Sequence, residues 1–378
     1  MAGLPTLLLF LLKSAVLGLA VAFLIVFFNP ELLSGAAIHG AATRRAGPTS
    51  YADAVAASAP AVVSIYTERV VTEPDSRSIL GRVPGYEAPL LTRIERSLGS
   101  GVIVSDDGYM LTNNHVVREA AGIRVQLADG RTADPVIVGA DQDTDLAVLK
   151  IELRDLPVMP LGRSDTLAVG DVVLAIGNSF GLSQTVTQGI VSATGRGQLG
   201  VSTFENFIQT DAAINFGNSG GALVDTRGRM IGLNTAGLSR SLLPEVPEGI
   251  GFAIPVNLAA GVLRQIVDHG RVIRGWLGAG FQNLTAQRAG TLGAPGASGI
   301  EVTRIIADSP AMRAGLRVGD VLTHFDRRPV YHAQDALNHI AGTPPGESIS
   351  LRGLREGEAF TLEAKVAERP ATGPQPER

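Results

Sequence analysis

Apolar residues fall along this chain in three rhythms. From Thr6 to Phe28 they run over 23 positions with only Lys13 and Ser14 interrupting. At 1.5 Å per residue, a helix of that length covers about 34 Å, enough to cross a bilayer. Lys13 then sits near the cytoplasmic headgroups, with its stem along apolar surface and its ammonium in water. After a short helical pattern at Tyr51 to Ser58, the apolar runs become brief and rich in valine and isoleucine, as in Val62-Val63-Ser64-Ile65-Tyr66 and Leu146 to Ile151. That is a strand pattern, and it recurs to about Ile254. From Pro255 to Asp268, residues Val256, Ala259, Ala260, Leu263, Ile266 and Val267 return at steps of three and four, which is helical spacing, and Gly270 stops it.

These rhythms divide the chain into an apolar span at 1–28, a Gly/Ala/Ser/Thr-containing tether at 29–50, a β-rich domain at 51–268, a further unit at 271–369 and a Pro/Gly-containing tail at 370–378, expected to be disordered. The first segment has a competing reading as a signal peptide, with Ser34-Gly35-Ala36 as a small-residue cleavage site. Under either reading the bulk of the chain is exported. Residues 68–98 carry prolines and no clean periodicity, which predicts a mobile loop.

Composition adds mostly exclusions. At 378 residues the chain exceeds the size at which a single core stops growing, so two folded domains are expected. A net charge of -4, with no basic stripe, gives no footprint for nucleic acid. The absence of cysteine removes disulfides and thiolate metal sites, leaving a chain indifferent to an oxidising compartment.

Candidate chemistry concentrates in Gly217-Asn218-Ser219-Gly220-Gly221. Glycines let the backbone turn tightly and aim amide protons at one point, as a serine nucleophile requires for the oxyanion it generates. Gly217, Asn218 and Ser219 are the candidate oxyanion-hole residues, with the N–H groups of Gly217 and Ser219 as donors. Such a serine needs a base, and between residues 40 and 268 there is a single histidine, His115. The orienting carboxylate is Asp145, in Asp143-Thr144-Asp145 ahead of the apolar run. The order His, Asp, Ser is that of the chymotrypsin-like double β-barrel. Asp141, Asp143 and Asp145 also imitate the start of a calcium loop, but the sixth position, which needs glycine, is Leu146, so no metal is expected.

At these residues the sequence resembles the HtrA family of bacterial serine proteases, of the membrane-anchored, single-PDZ DegS/AlgW type. The likeness rests on Gly99-Ser100-Gly101-Val102-Ile103-Val104, Leu111 to Val117, Asp145 to Lys150, Ala175-Ile176-Gly177-Asn178, Gln209 to Asn215, and Gly217 to Leu223. It implies a mainly β fold: a chymotrypsin-like double β-barrel protease followed by one PDZ domain, with an N-terminal transmembrane helix. In one respect the motif departs from the digestive enzymes. They place an aspartate before the serine to pair with a freed amino terminus, whereas an uncharged Asn218 cannot, so activity should not depend on propeptide removal.

In the C-terminal unit, Ser309-Pro310-Ala311, Ala314-Gly315-Leu316 and Gly319-Asp320-Val321-Leu322 resemble a circularly permuted bacterial PDZ domain. Such a domain adds a peptide as a strand and captures its terminal carboxylate on backbone amides. The candidate capture loop is Gly275-Trp276-Leu277-Gly278. His324, His332 and His339 are expected to carry no chemistry. The resemblance further implies an inner-membrane protein facing the periplasm and assembled as a homotrimer. Its PDZ domain would respond to C-terminal peptides of unfolded outer-membrane proteins, its S1 pocket would take small apolar residues, and its substrate would be an anti-sigma factor. The glycine-rich loop from Ala193 to Gly200 is the candidate switch, with Arg196 as its directional contact. No cofactor is implied. A soluble periplasmic quality-control protease or chaperone with a cleaved signal peptide, and an idle PDZ scaffold, remain as alternatives.

Overall fold

The computed structural model describes residues 4–28, 50–74, 90–178, 184–197, 199, 202–235, 249–294 and 296–370. The chain divides into two units, Met1–Ser50 and Tyr51–Arg378. In the first, helix α1 covers Leu4–Phe28. Its described side chains are those of residues 12–21, 23–25, 27 and 28, and among the described residues no helix is long and apolar enough to cross a membrane. Apart from Ser50 and Pro370, the expected tether at 29–50 and tail at 370–378 lie outside the described residues.

The second unit opens with α2 (Ala52–Ser58) and a 3₁₀ turn at Ala59–Ala61. Seven strands follow: β1 (Val62–Pro74), β2 (Leu90–Ile103), β3 (Tyr109–Asn113), β4 (Gly122–Gln126), β5 (Thr132–Ala133), β6 (Val136–Asp141) and β7 (Leu146–Lys150). They form one sheet in the order β5-β4-β1-β2-β3-β7-β6. The unbroken apolar reading of β7 is explained by Leu146, Ala147, Val148 and Leu149 all being buried, so both faces of the strand are covered.

The loop expected over 68–98 is corrected by this sheet. β1 and β2 pair antiparallel in continuous register from Val62↔Val102 to Pro74↔Leu90, leaving only 75–89 outside the described residues. The outer half of this hairpin is exposed, with Val70 and Ile94 in the open. No buried face imposed an apolar/polar alternation there, so the sequence showed no period. Cross-strand pairs such as Arg96 to Glu68 (3.1 Å) and Thr72 to Thr92 (3.2 Å) hold it instead.

Six further strands close into a barrel: β8 (Val172–Gly177), β9 (Thr185–Arg196), β10 (Phe207–Thr210), β11 (Ala222–Asp225), β12 (Met230–Thr235) and β13 (Gly251–Pro255), in the order β10-β13-β12-β11-β8-β9. The two halves expected as a double barrel are thus a seven-stranded sheet and one closed barrel. They share a core in which Leu111, Leu146, Ile176 and Leu233 pack together with Val256 and Ile266 of helix α3 (Val256–His269). Gly270, left-handed at φ 73°, ends α3 by donating its N–H to Ile266 O.

A separate core forms around Leu277, Val302, Leu322, Phe325, Ile340 and Leu351. Its main sheet contains β15 (Ala279–Asn283), β16 (Ile300–Ile305), β17 (Val321–Phe325), β19 (Ser348–Arg355) and β20 (Glu358–Lys365) in that order, with β18 (Arg328–Pro329) paired to β17. β15 is an edge strand, and helix α4 (Ala333–Gly342) packs beside it. β14 (Gly275–Trp276) pairs with β21 (Ala367–Glu368). At the seam with the protease half, Arg274 reaches Asp141 with both terminal nitrogens, at 2.7 and 2.5 Å. Arg369 donates to Asp143 at 3.3 Å, and both guanidinium groups lie over the ring of Phe204, at 4.7 and 5.0 Å. From α4, Gln334 and Asn338 donate to the carbonyls of Thr203 and Glu205, each at 3.2 Å.

Candidate active site

β3 runs directly into a four-residue helical turn, Asn114–Val117, which carries His115. Asp145 stands at the head of β7 with φ 57°, a left-handed conformation unusual for a residue with a Cβ. Four contacts keep it there. Its carbonyl accepts from Asn114 N (3.0 Å) and Asn113 Nδ2 (3.1 Å). Its carboxylate accepts from the His115 N–H (2.8 Å) and, at 2.6 Å, meets His115 Nδ1. A carboxylate only accepts, so Nδ1 carries the proton and, in the neutral ring, Nε2 is the basic nitrogen.

Ser219 belongs to the other half. Its loop turns on Gly217 (φ 96°) and Gly220 (φ 82°) and lies against the seven-stranded sheet. A Cβ on Gly220 would stand 2.1 Å from Ser100 O and 2.4 Å from Thr112 Oγ1, so only glycine allows this approach. Ser100 N–H donates to Ser219 O at 2.8 Å. On the barrel side, Gly220 N–H donates to Asn234 O (2.9 Å) and Asn234 N–H to Gly221 O (2.8 Å). The Asn234 amide also bridges the carbonyls of Ile176 and Ala222. Because Thr112 lies near the end of β3, three residues before His115 in the turn that follows, the serine loop and the histidine arrive at one end of β3.

Of the three residues expected at the oxyanion site, Asn218 gives its N–H to Asn215 O at 3.0 Å, and the expected donors are the amides on either side of it, those of Gly217 and Ser219. The switch loop is corrected in part. Ala193 to Arg196 belong to β9, where Arg196 pairs with Phe207 and donates from Nε to Gln209 Oε1 at 2.9 Å. Gln198 and Gly200 lie outside the described residues.

In Gly275-Trp276-Leu277-Gly278, Leu277 is buried in the C-terminal core, so this residue can meet a ligand only through its backbone. Gly278 has φ 75°, and a Cβ there would stand 2.4 Å from Ser309 Cβ. The loop feeds straight into edge strand β15. His339 Nε2 meets Asp326 Oδ2 at 2.9 Å, and His324 Nδ1 meets its neighbour Thr323 Oγ1 at 3.0 Å. Among the described residues no cluster of three or more His, Asp or Glu could hold a metal ion. Asp141 and Asp143 instead face Arg274 and Arg369, pairings separated by 133 and 226 positions that no local pattern announces.

Residues 99–233 match the trypsin-like peptidase domain family, and residues 275–366 the PDZ domain family. The class so defined is a serine endopeptidase carrying one PDZ domain. Serine endoprotease DegS of Escherichia coli (strain K12) is 40% identical over 368 residues, covering 96% of this chain and 99% of that protein. Periplasmic serine endoprotease DegP of Salmonella typhimurium (strain LT2) is 45% identical over 273 residues, 71% of this chain and 57% of its own length. Among solved structures, the HtrA-type protease AlgW with a decapeptide superposes with a TM-score of 0.72 at 48% identity, over 85% of this chain and 100% of that one. The chain belongs to the HtrA family of serine endoproteases, in its DegS/AlgW branch.

Proposed function

We propose that this endopeptidase works in the periplasm, held to the inner membrane by its N-terminal segment, with Ser219 as nucleophile, His115 as general base and acid, and Asp145 orienting the imidazole. Ser219 Oγ attacks the scissile carbonyl as His115 Nε2 takes its proton. The amides of Gly217 and Ser219 receive the oxyanion, and His115 returns the proton to the leaving amine. The observation that carries this reading is the doubly bonded His115–Asp145 pair, set at the end of β3 against which the glycine loop of Ser219 is packed. A fluorophosphonate should label Ser219, and Ser219→Ala should lower hydrolysis by about four to six orders of magnitude. Labelling elsewhere, or an active Ser219→Ala protein, would remove the assignment.

Edge strand β15, opening from Gly275-Trp276-Leu277-Gly278, supports capture of an extended C-terminal peptide by strand addition. We assign the activating ligand to C-terminal peptides of misfolded envelope proteins and the substrate to an anti-sigma factor, within a homotrimer. AlgW has been solved with a decapeptide and with a tripeptide, which fits the peptide-binding part of this assignment. A casein assay with and without a hydrophobic C-terminal peptide tests the gating, with equal rates counting against it. For the anchor, the support is the run of exposed large apolar side chains from Leu12 to Phe28. Recovery of the full-length chain in the soluble periplasmic fraction would refute it.

A further inference from the structure

The motif Gly99-Ser100-Gly101 has no part in the triad, yet Ser100 is fully buried where the two halves of the protease meet. Its hydroxyl has two partners on the opposite half. It donates to Gly217 O at 2.7 Å and accepts the N–H of Asn178, just past the end of β8, at 2.9 Å. Its own N–H goes to Ser219 O at 2.8 Å, and its carbonyl accepts from Thr112 Oγ1 at 2.8 Å. The flanking glycines make this fit possible: a Cβ on Gly99 would stand 2.5 Å from Val116 Cγ1, and one on Gly101 would stand 2.8 Å from Met110 Cε.

The Gly217–Asn218 peptide is consequently held at both ends, its carbonyl by the Ser100 hydroxyl and its N–H by Asn215 O. This peptide lies between the two N–H groups assigned to the oxyanion. Gly217 sits at φ 96° with no Cβ to restrict it, so its neighbouring peptide planes can rotate unless something outside the loop fixes them. The carbonyl of Ser219, on the far side of the second donor, is fixed by the Ser100 N–H. One residue of β2 thus grips the nucleophile loop on both sides of the Ser219 N–H.

We propose that Ser100 is a positioning residue for the oxyanion hole: its side-chain hydroxyl locks the Gly217–Asn218 peptide so that the amides of Gly217 and Ser219 point at the developing oxyanion. This rests on Ser219 being the nucleophile. Preorganised donors act mainly in the transition state, so losing the lock should appear in kcat and leave KM alone.

The test compares wild type, Ser100→Ala and Ser100→Cys, the last keeping the volume while giving up a strong donor, in case the alanine variant fails to fold. Active sites are counted by end-point fluorophosphonate labelling at Ser219. kcat and KM are then measured on a chromogenic peptide at a fixed concentration of C-terminal peptide. Affinity is measured for a peptide boronate, which forms a tetrahedral adduct, and for the unreactive substrate peptide on the Ser219→Ala background. Per labelled site, kcat should fall about 10- to 100-fold, less than or comparable to deleting an oxyanion donor outright. Boronate affinity should fall by a similar factor, with KM and substrate affinity within about twofold. A kcat per labelled site within about twofold of wild type, a change confined to KM, or a kcat loss without matching loss of boronate affinity would overturn the proposal. Failure of wild type to label at Ser219 would instead remove the catalytic assignment beneath it.

Discussion

Arg274 and Asp141, 133 residues apart, form a two-pronged ion pair that is almost wholly withdrawn from water. A planar guanidinium matched to a carboxylate satisfies both groups only as a pair. Removing one partner leaves the other buried and uncompensated, which costs about 3–5 kcal/mol. Arg274→Ala should therefore loosen the PDZ domain from the protease domain while each keeps its own core. Calorimetry should resolve two transitions, and hydrogen exchange should rise at residues 270–275. A single unchanged transition would mean that the pair contributes nothing to docking.

Asp145→Asn tests the orienting role without disturbing the turn. The amide oxygen can still accept from the His115 N–H, but an NH₂ group facing Nδ1 selects the tautomer that carries its proton on Nε2. kcat should drop about 10⁴-fold with an unchanged melting temperature. A loss below tenfold on a chromogenic peptide would separate Asp145 from catalysis.

Gly278→Ala places a Cβ 2.4 Å from Ser309 Cβ and 2.8 Å from the Trp276 ring, at φ 75°. Backbone strain and overpacking together should cost about 1–3 kcal/mol. Thermal melting should register the loss in the PDZ domain, and calorimetric titration should show weaker binding of a hydrophobic C-terminal peptide. Unchanged values for both would remove the loop from the proposed capture site.

Acid should act on the PDZ domain through Glu301. Its side chain is almost fully buried, and hydrogen bonding to the Arg288 guanidinium holds its pKa below the ordinary 4.5. A carboxylate whose folded pKa is depressed contributes stability in full above its unfolded pKa and loses it as pH falls through the folded one. Urea midpoints should thus be level from neutral pH to about 5 and decline below about 4.5. Arg288→Met should flatten that decline. An equally steep decline in the variant would place the acid sensitivity elsewhere.

The candidate site is legible in the sequence because it is written in residue types: a single histidine between residues 40 and 268, an aspartate immediately ahead of a buried strand, a serine among glycines. Leu146 to Leu149 announced a strand because both of its faces are covered. The β1–β2 hairpin did not, since its outer rungs are held by exposed charged and hydroxyl pairs that follow no burial period. The glycines around Arg196 predict a loop, but pairing of β9 with β10 carries the strand through Gly195. The Asp141–Arg274 and Asp143–Arg369 contacts are tertiary, and nothing in the sequence around any of these four residues points to its partner. Ser100 stands out in the sequence between Gly99 and Gly101, but what its hydroxyl does depends on where residues 178 and 217 come to rest.

Because the Ser219 loop keeps its shape by leaning on β2, neither half of the protease owns a finished cleft. In chain order His115 and Asp145 come well before Ser219, so the proposed constellation can form only once two separately encoded surfaces have closed on each other.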